Sequence, residues 1–193
     1  GGLVKVPTAP LEYQGTLLAE VAGLSFTALG SWARLVDAQG TPTSLLVFAV
    51  VPVTAGPPQF YVQAVAAGMG YNRDLKVPAA VDDVPSHPLL VAMDSQALAA
   101  DPLGALRSMR TLLPPARGKF WVAAGLRFTT YGVVKSRALL YLVADRHVEI
   151  GLLGTSRLLL PNDDHALVSV ELALVARYST AEDMLSIQAQ LTE

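Results

Sequence analysis

Three histidines, His87, His147 and His165, are the side chains best suited to acid–base or metal chemistry at neutral pH. His165 follows Asn162-Asp163-Asp164, which places several oxygen and nitrogen ligands close together. The same residues fit an ordinary polar turn, in which Asn and Asp side chains accept local backbone hydrogen bonds. Because the sequence contains no second ligand cluster and no calcium-loop spacing, we predict a turn here and no metal site.

The spacing needed for nucleophilic or cofactor chemistry is also missing. Gly154-Thr155-Ser156-Arg157 lacks the closing glycine of a nucleophile elbow, and the absence of cysteine excludes thiol nucleophiles, thiolate metal sites and disulfides. The segment 68–73, Gly-Met-Gly-Tyr-Asn-Arg, has two of the three glycines of a dinucleotide fingerprint, but no helical pattern follows. We interpret it as a strand end with a bulge or a positive φ. We therefore predict no catalytic, cofactor or metal residues, with a hydrolase of dispersed site as an alternative.

Five cationic side chains interrupt otherwise apolar segments: Arg127, Lys135, Arg137, Arg157 and Arg177. An unpaired buried charge is costly, so each of them must reach solvent or find a partner. In one arrangement their methylene stems cross the outer face of a sheet and their charges are solvated. In the other they form a charged rim beside an apolar groove, which would suit a lipid headgroup or an acidic partner. Both arrangements stay open.

Composition narrows the class of partner. The net charge is −2, so no basic field of the kind that binds nucleic acid is present. Hydrophobic residues make up 52% of the chain and charged residues 16%, which predicts extensive apolar contact. No charge occurs from Ala38 to Asn72, but prolines and glycines divide that stretch into pieces too short for a transmembrane helix. The sequence shows no signal peptide and does not indicate a cellular compartment. We expect the chain to be a fragment of a larger protein.

Strand patterns dominate the chain. In 11–21 the odd positions are apolar, and after Gly23 the apolar positions become even, which predicts a hairpin with those faces inward. The apolar run 44–53 predicts a strand buried on both faces. Further strand-like segments are 59–69, 119–131, 133–144, 147–153, 166–178 and 183–191. The predicted fold is mainly β, a long antiparallel meander of about nine strands within one domain, 1–193.

One interval, 77–117, is predicted to be an irregular insertion that carries one short helix. Asp101 is a suitable N-cap before a proline, and Pro114 ends the helical pattern. The spacing predicts that Leu103, Leu106 and Leu113 face inward and that Arg107 faces outward.

Glycines and aromatic residues recur through the predicted strands. They occur in Gly30-Ser31, the segment 68–73, Phe120-Trp121-Val122-Ala123-Ala124-Gly125-Leu126-Arg127-Phe128, Ser136 with Leu139-Leu140, the segment 150–154, and 157–161. This pattern resembles a bacterial domain family of unknown function, number 6603. The resemblance implies a large β-rich protein, in some genomes accompanied by contractile injection systems, and it brings no catalytic residues.

The long, apolar strands need a second cover: another sheet layer, a helix, a neighbouring domain or an apolar ligand. Our leading hypothesis is therefore a non-catalytic structural or assembly module, whose partners are neighbouring domains or other assembly components. The alternative is a carrier that binds lipid or another apolar ligand in a groove of the sheet. Candidates for the lining of that groove are Phe26, Trp32, Phe48, Phe60 and Trp121.

Overall fold

The structure is a computed structural model that describes residues 2–6, 11–21, 24–36, 40–160 and 168–192. Ten strands form one antiparallel sheet in which each strand pairs with its sequence neighbours. They are β1 Gly2–Val6, β2 Leu11–Val21, β3 Leu24–Arg34, β4 Thr43–Ala55, β5 Tyr61–Arg73, β6 Pro115–Thr130, β7 Val134–Ala144, β8 Val148–Leu160, β9 Val168–Ser179 and β10 Met184–Thr192. The long antiparallel meander is confirmed, with β1 added to the expected strands. The segment 162–165, predicted to be a turn, lies outside the described residues.

The insertion between β5 and β6 contains more helix than predicted. Its elements are a 3-10 helix at Val81–Ser86, α1 at Pro88–Ala92, α2 at Ser95–Ala100 and α3 at Pro102–Leu112. The predicted cap of α3 is present, because the Asp101 carboxylate accepts a hydrogen bond from the Gly104 amide at 2.8 Å. Within the described residues, no helix is long and apolar enough to cross a membrane.

The hydrophobic core lies between these helices and one face of the sheet, which we call the covered face. Glycines make room for its largest rings: a β-carbon at Gly70 would overlap the indole of Trp121, and one at Gly68 would lie 2.6 Å from Phe48 Cδ2. The segment 68–73 was predicted to contain a bulge or a positive φ. The positive φ occurs at Asn72, beside a register shift between β5 and β6. Other core residues are Leu46, Leu139, Tyr141 and Leu153 from the sheet, and Leu89, Leu90, Met93, Leu98, Met109 and Leu113 from the insertion.

In the described part of the chain the second face of the sheet carries no helix, and we call it the open face. In β4 the burial alternates: Leu46 and Phe48 are buried, whereas Leu45 and Val47 are exposed. The prediction that 44–53 is buried on both faces is therefore wrong for this chain. The helices of the insertion cover one face alone, so a strand that is apolar on both sides leaves half of its side chains in contact with solvent.

The hairpin of β2 and β3 is present, but its two faces are reversed from the prediction. The covered face buries Glu12, Gln14 and Ser31 beside Leu29 and Ala33, while Tyr13 and Trp32 lie on the open face. Polar side chains can occupy the buried face because they bond to one another and to an arginine of β5, as described below.

Helix α3 packs largely as predicted. Leu106 and Leu113 are buried and Arg107 is exposed, but Leu103 is 57% exposed, so its inward placement was wrong. The buried stripe also includes Ala105 and Met109. At 100° per residue this stripe is centred about 100° from the direction of Leu103, which places that side chain on the flank of the helix.

Candidate functional site

The open face is an extensive, solvent-exposed apolar surface in the described part of the chain. Along β4 to β10, the described strand positions that the pairing register places on this face carry no charged side chain. Most of them are aliphatic or aromatic, and they include Leu45, Val47, Val65, Met69, Tyr71, Val122, Leu140, Ile150, Leu172, Leu185, Ile187 and Leu191.

The size of this face exceeds that of an ordinary apolar patch. Leu140, near the centre of β7, is 54% exposed, and Ile187 on β10 is 64% exposed. With strands about 4.8 Å apart and a rise of about 3.3 Å per residue, the face has a projected area of roughly 1,000 Å². Apolar patches larger than a few hundred Å² mark interaction sites.

A shallow depression of about 840 Å³ indents the open face at β2 to β4. Gly15 and Gly30 are paired directly across the two strands, and their lack of side chains forms its floor. Tyr13 and Trp32 flank it with ring centroids 6.1 Å apart. Aliphatic side chains of Leu17, Leu45 and Val47 complete the lining.

The five aromatic residues predicted to line an apolar groove separate in the structure. Phe26 and Trp32 lie on the open face of β3, and Trp32 borders the depression. Phe48 and Trp121 lie on the covered face in the core. Phe60, in the turn between β4 and β5, contacts the Phe128 ring at a centroid distance of 4.6 Å.

A buried polar cluster on the covered face joins β2, β3 and β5 to the end of α3. Arg73 Nη1 donates to Glu12 Oε1 at 2.8 Å and to the Leu113 carbonyl at 2.9 Å, and Nη2 donates to Ser31 Oγ at 2.7 Å. Glu12 Oε1 also accepts from Ser31 at 2.8 Å and from Gln14 at 3.0 Å. Burial lowers the pKa of Arg73, while the bond to Glu12 raises it. Because Arg73 bonds both to Glu12 and Ser31 of the sheet and to the Leu113 carbonyl at the end of α3, the cluster anchors the insertion to the sheet.

His87 is a buried part of the scaffold. It precedes α1, and its Nδ1 accepts a hydrogen bond from the Leu89 amide at 3.4 Å. Burial lowers the pKa of His87 to about 4. The imidazole is therefore neutral at physiological pH and takes part in capping.

This burial predicts a loss of stability in mild acid. Because the unfolded imidazole has a pKa of 6.5 and the folded one about 4, the unfolded state binds the proton first as the pH falls. The free energy of unfolding should be undiminished by this group above pH 6.5 and should fall by about 3 kcal/mol between pH 6.5 and 4. Urea unfolding of wild type and His87→Asn across this range measures the difference. Parallel pH profiles for the two proteins would contradict the assignment.

His147 lies in the exposed turn between β7 and β8, beside a cleft of about 220 Å³ that Glu149 and Ser179 also line. The hydrogen bonds described for His147 are made by its backbone, which donates to Asp145 Oδ1 at 2.9 Å. That bond is the main cause of the lowered pKa of Asp145. The Glu149 carboxylate accepts from the Tyr141 hydroxyl at 2.9 Å. These are the hydrogen bonds of a turn, and none of them joins the His147 imidazole to a carboxylate or a hydroxyl. They give the hydrolase alternative no support.

Four of the five cationic strand residues share one cleft on the covered side. Arg127, Lys135, Arg137 and Arg157 line a space of about 970 Å³ beside the insertion. Arg177 lies apart from them and approaches two carboxylates, Glu149 at 3.9 Å and Glu182 at 3.7 Å. The sequence indicated that these cations need partners, but only the strand register brings four of them together.

A protein-family model described as a family of unknown function (DUF6603) matches residues 1–193. The chain therefore belongs to that family. No curated protein and no solved structure gives a significant match to it.

Proposed function

We propose that this member of the DUF6603 family is a non-catalytic assembly module whose open face packs against a second apolar β-sheet layer of a larger protein or assembly. The observation that carries the proposal is the lack of charge at the described strand positions from β4 to β10 that the pairing register places on that face. Water solvates such a face poorly, and sheets that pack face to face bury surfaces of this kind about 10 Å apart.

The hairpin of β2 and β3 also supports packing of a partner against the open face. Its aromatic side chains Tyr13, Phe26 and Trp32 lie on the open face, whereas Glu12, Gln14 and Ser31 are buried on the covered face beside Leu29 and Ala33. A hairpin selected only to pack under the insertion would have the opposite pattern. In addition, the projected area of roughly 1,000 Å² exceeds the 800 Å² or so that each partner buries in a standard interface.

The edge strand β10 is also suited to pair with a further strand, which would extend the sheet. Met184–Thr192 contains neither proline nor charge, the two features with which sheets usually protect an exposed edge. Its Leu185, Ile187 and Leu191 side chains are exposed and continue the apolar surface of the open face. The larger context that the family resemblance implies, a bacterial protein linked to contractile injection systems, is part of this proposal.

Leu140→Asp should abolish association through the open face. In the register, Leu140 lies between Ala124 and Leu152, so an aspartate there would place a charge at the centre of the apolar surface. We expect wild type to associate in a concentration-dependent way and to bind a hydrophobic dye. The variant should sediment as a monomer and bind less dye.

Thr111→Asp is the matched control, because it introduces the same charge at an exposed position of α3 on the other side of the sheet. It should leave sedimentation and dye binding unchanged. A wild-type chain that is monomeric at all concentrations and binds no dye would contradict the proposal.

The depression at Gly15 and Gly30 favours a second candidate, a carrier of acyl chains or another apolar ligand. A β-carbon at Gly30 would have its nearest contact 3.7 Å away, at the Leu46 carbonyl oxygen, so Gly30→Leu should fill the depression without a clash. The carrier hypothesis predicts lipid in native mass spectra and solvent extracts of wild type, and its loss in Gly30→Leu. The assembly hypothesis predicts no bound lipid and unchanged association in this variant.

A further inference from the structure

We propose that the cleft lined by Arg127, Lys135, Arg137 and Arg157, here called the cationic cleft, binds a phosphate group. It lies between the insertion and the covered face of β6 to β9, and its volume of about 970 Å³ is ample for such a group. It is on the opposite side of the sheet from the open face, so this inference is independent of the proposed assembly.

The strand register concentrates like charges in the cationic cleft. Arg127 of β6 lies directly opposite Arg137 of β7, and Lys135 of β7 lies directly opposite Arg157 of β8. Like charges at directly opposed positions destabilise a sheet. A bound anion between the strands and the insertion would offset that cost.

The two central guanidinium groups have donor capacity that their described contacts leave unused. Arg137 donates from Nη1 to the Leu90 carbonyl and from Nε to Thr155 Oγ1, each at 3.3 Å, and these bonds hold it against α1 and β8. The Nε atom of Arg127 is buried and has no hydrogen-bond partner in the described part of the chain. Arginine presents its N–H groups in a planar fork that matches the oxygens of a phosphate.

Carboxylates in the cationic cleft reduce its charge without cancelling it. Asp82, Asp94 and Glu171 line it, which leaves one cation in excess of the three carboxylates. Glu171 forms an ion pair with Arg157 Nε at 2.9 Å. Because both side chains are about half exposed, this pair contributes little to the stability of the fold. Neutral side chains of Gln63, Gln96 and Thr155 also line the space and can donate hydrogen bonds to the remaining oxygens.

Calorimetric titration of the 193-residue protein with inorganic phosphate tests the site. We expect binding to wild type, binding at least about tenfold weaker to Arg127→Gln, and unchanged binding to Arg107→Gln, which removes an exposed cation of α3. Phosphate should raise the melting temperature of wild type and of Arg107→Gln, but not that of Arg127→Gln. Arg137→Gln provides a second variant with the same expected loss.

Two further results separate a ligand site from a purely structural ion-pair network. Without phosphate, Arg127→Gln should melt at a higher temperature than wild type, because it removes one member of a like-charge pair. A lower melting temperature of this variant together with undiminished phosphate binding would overturn the proposal. Vesicles containing phosphatidic acid, compared with vesicles of phosphatidylcholine alone, show whether the phosphate is that of a lipid headgroup. Failure of both inorganic phosphate and phosphatidic acid vesicles to bind would also overturn it.

Discussion

Arg73→Met is expected to destabilise the fold by about 3–5 kcal/mol, the usual cost of removing one partner from a buried ion pair. The variant leaves the buried Glu12 carboxylate without its cation, although Ser31 and Gln14 still donate to it. It also leaves the Leu113 carbonyl at the end of α3 without the guanidinium donor. Urea unfolding followed by circular dichroism measures the loss.

A double-variant cycle shows whether the loss comes from the unpaired charge. Glu12→Gln combined with Arg73→Met should be more stable than Arg73→Met alone, because the carboxylate left without its cation is then neutral. Arg107→Met, which removes an exposed arginine from α3, should change stability by less than about 0.5 kcal/mol. Equal stability of Arg73→Met and Arg107→Met would show that the buried cluster does not anchor the insertion.

This cluster explains why the faces of β2 and β3 were predicted wrongly although the strands themselves were found. The alternation in 11–21 is a local property, so the sequence shows it directly. The partner that allows Glu12 to be buried is Arg73, 61 residues away, and no local pattern reveals it. The segment that contains Arg73 was recognised as a strand end, but the arginine itself was not identified as a core residue.

The insertion shows the same limit. Helix α3 has eleven residues, a capping aspartate and a periodic stripe, and these local signals were sufficient to predict it. The helices α1 and α2 have five and six residues, too few for a periodic pattern to stand out. Their positions follow from contacts with the sheet that only the complete fold provides.

For the candidate surfaces, the sequence indicated which residues need partners but not where they meet. Surplus apolar strand positions predicted a second cover, and the structure places them together on the open face. Phe48 and Trp121 belong to the core because Gly68 and Gly70 of β5 admit their rings on the covered face. Arg127 and Arg137 were identified as unusual strand residues, but their direct opposition depends on the register of β6 and β7.

Leu106→Asp should destabilise the protein by about 3–5 kcal/mol, because it removes a core leucine and buries a carboxylate without a partner. Leu106 belongs to the hydrophobic core and is 8% exposed. Two matched variants make the test specific. Leu140→Asp makes the same substitution on the open face and should cost about 1 kcal/mol, within the range of β-propensity, while Arg107→Ala on the exposed side of α3 should cost less than about 0.5 kcal/mol.

The comparison requires protein concentrations at which wild type and all three variants sediment as monomers, since association would add to the apparent stability. Under those conditions urea unfolding should rank Leu106→Asp well below Leu140→Asp. If the two aspartate variants lost equal stability, the open face would already be packed within the single chain, and the proposed assembly surface would be wrong. If Leu106→Asp and Arg107→Ala were equally stable, α3 would not pack on the sheet through Leu106, and the covered face would need a different cover.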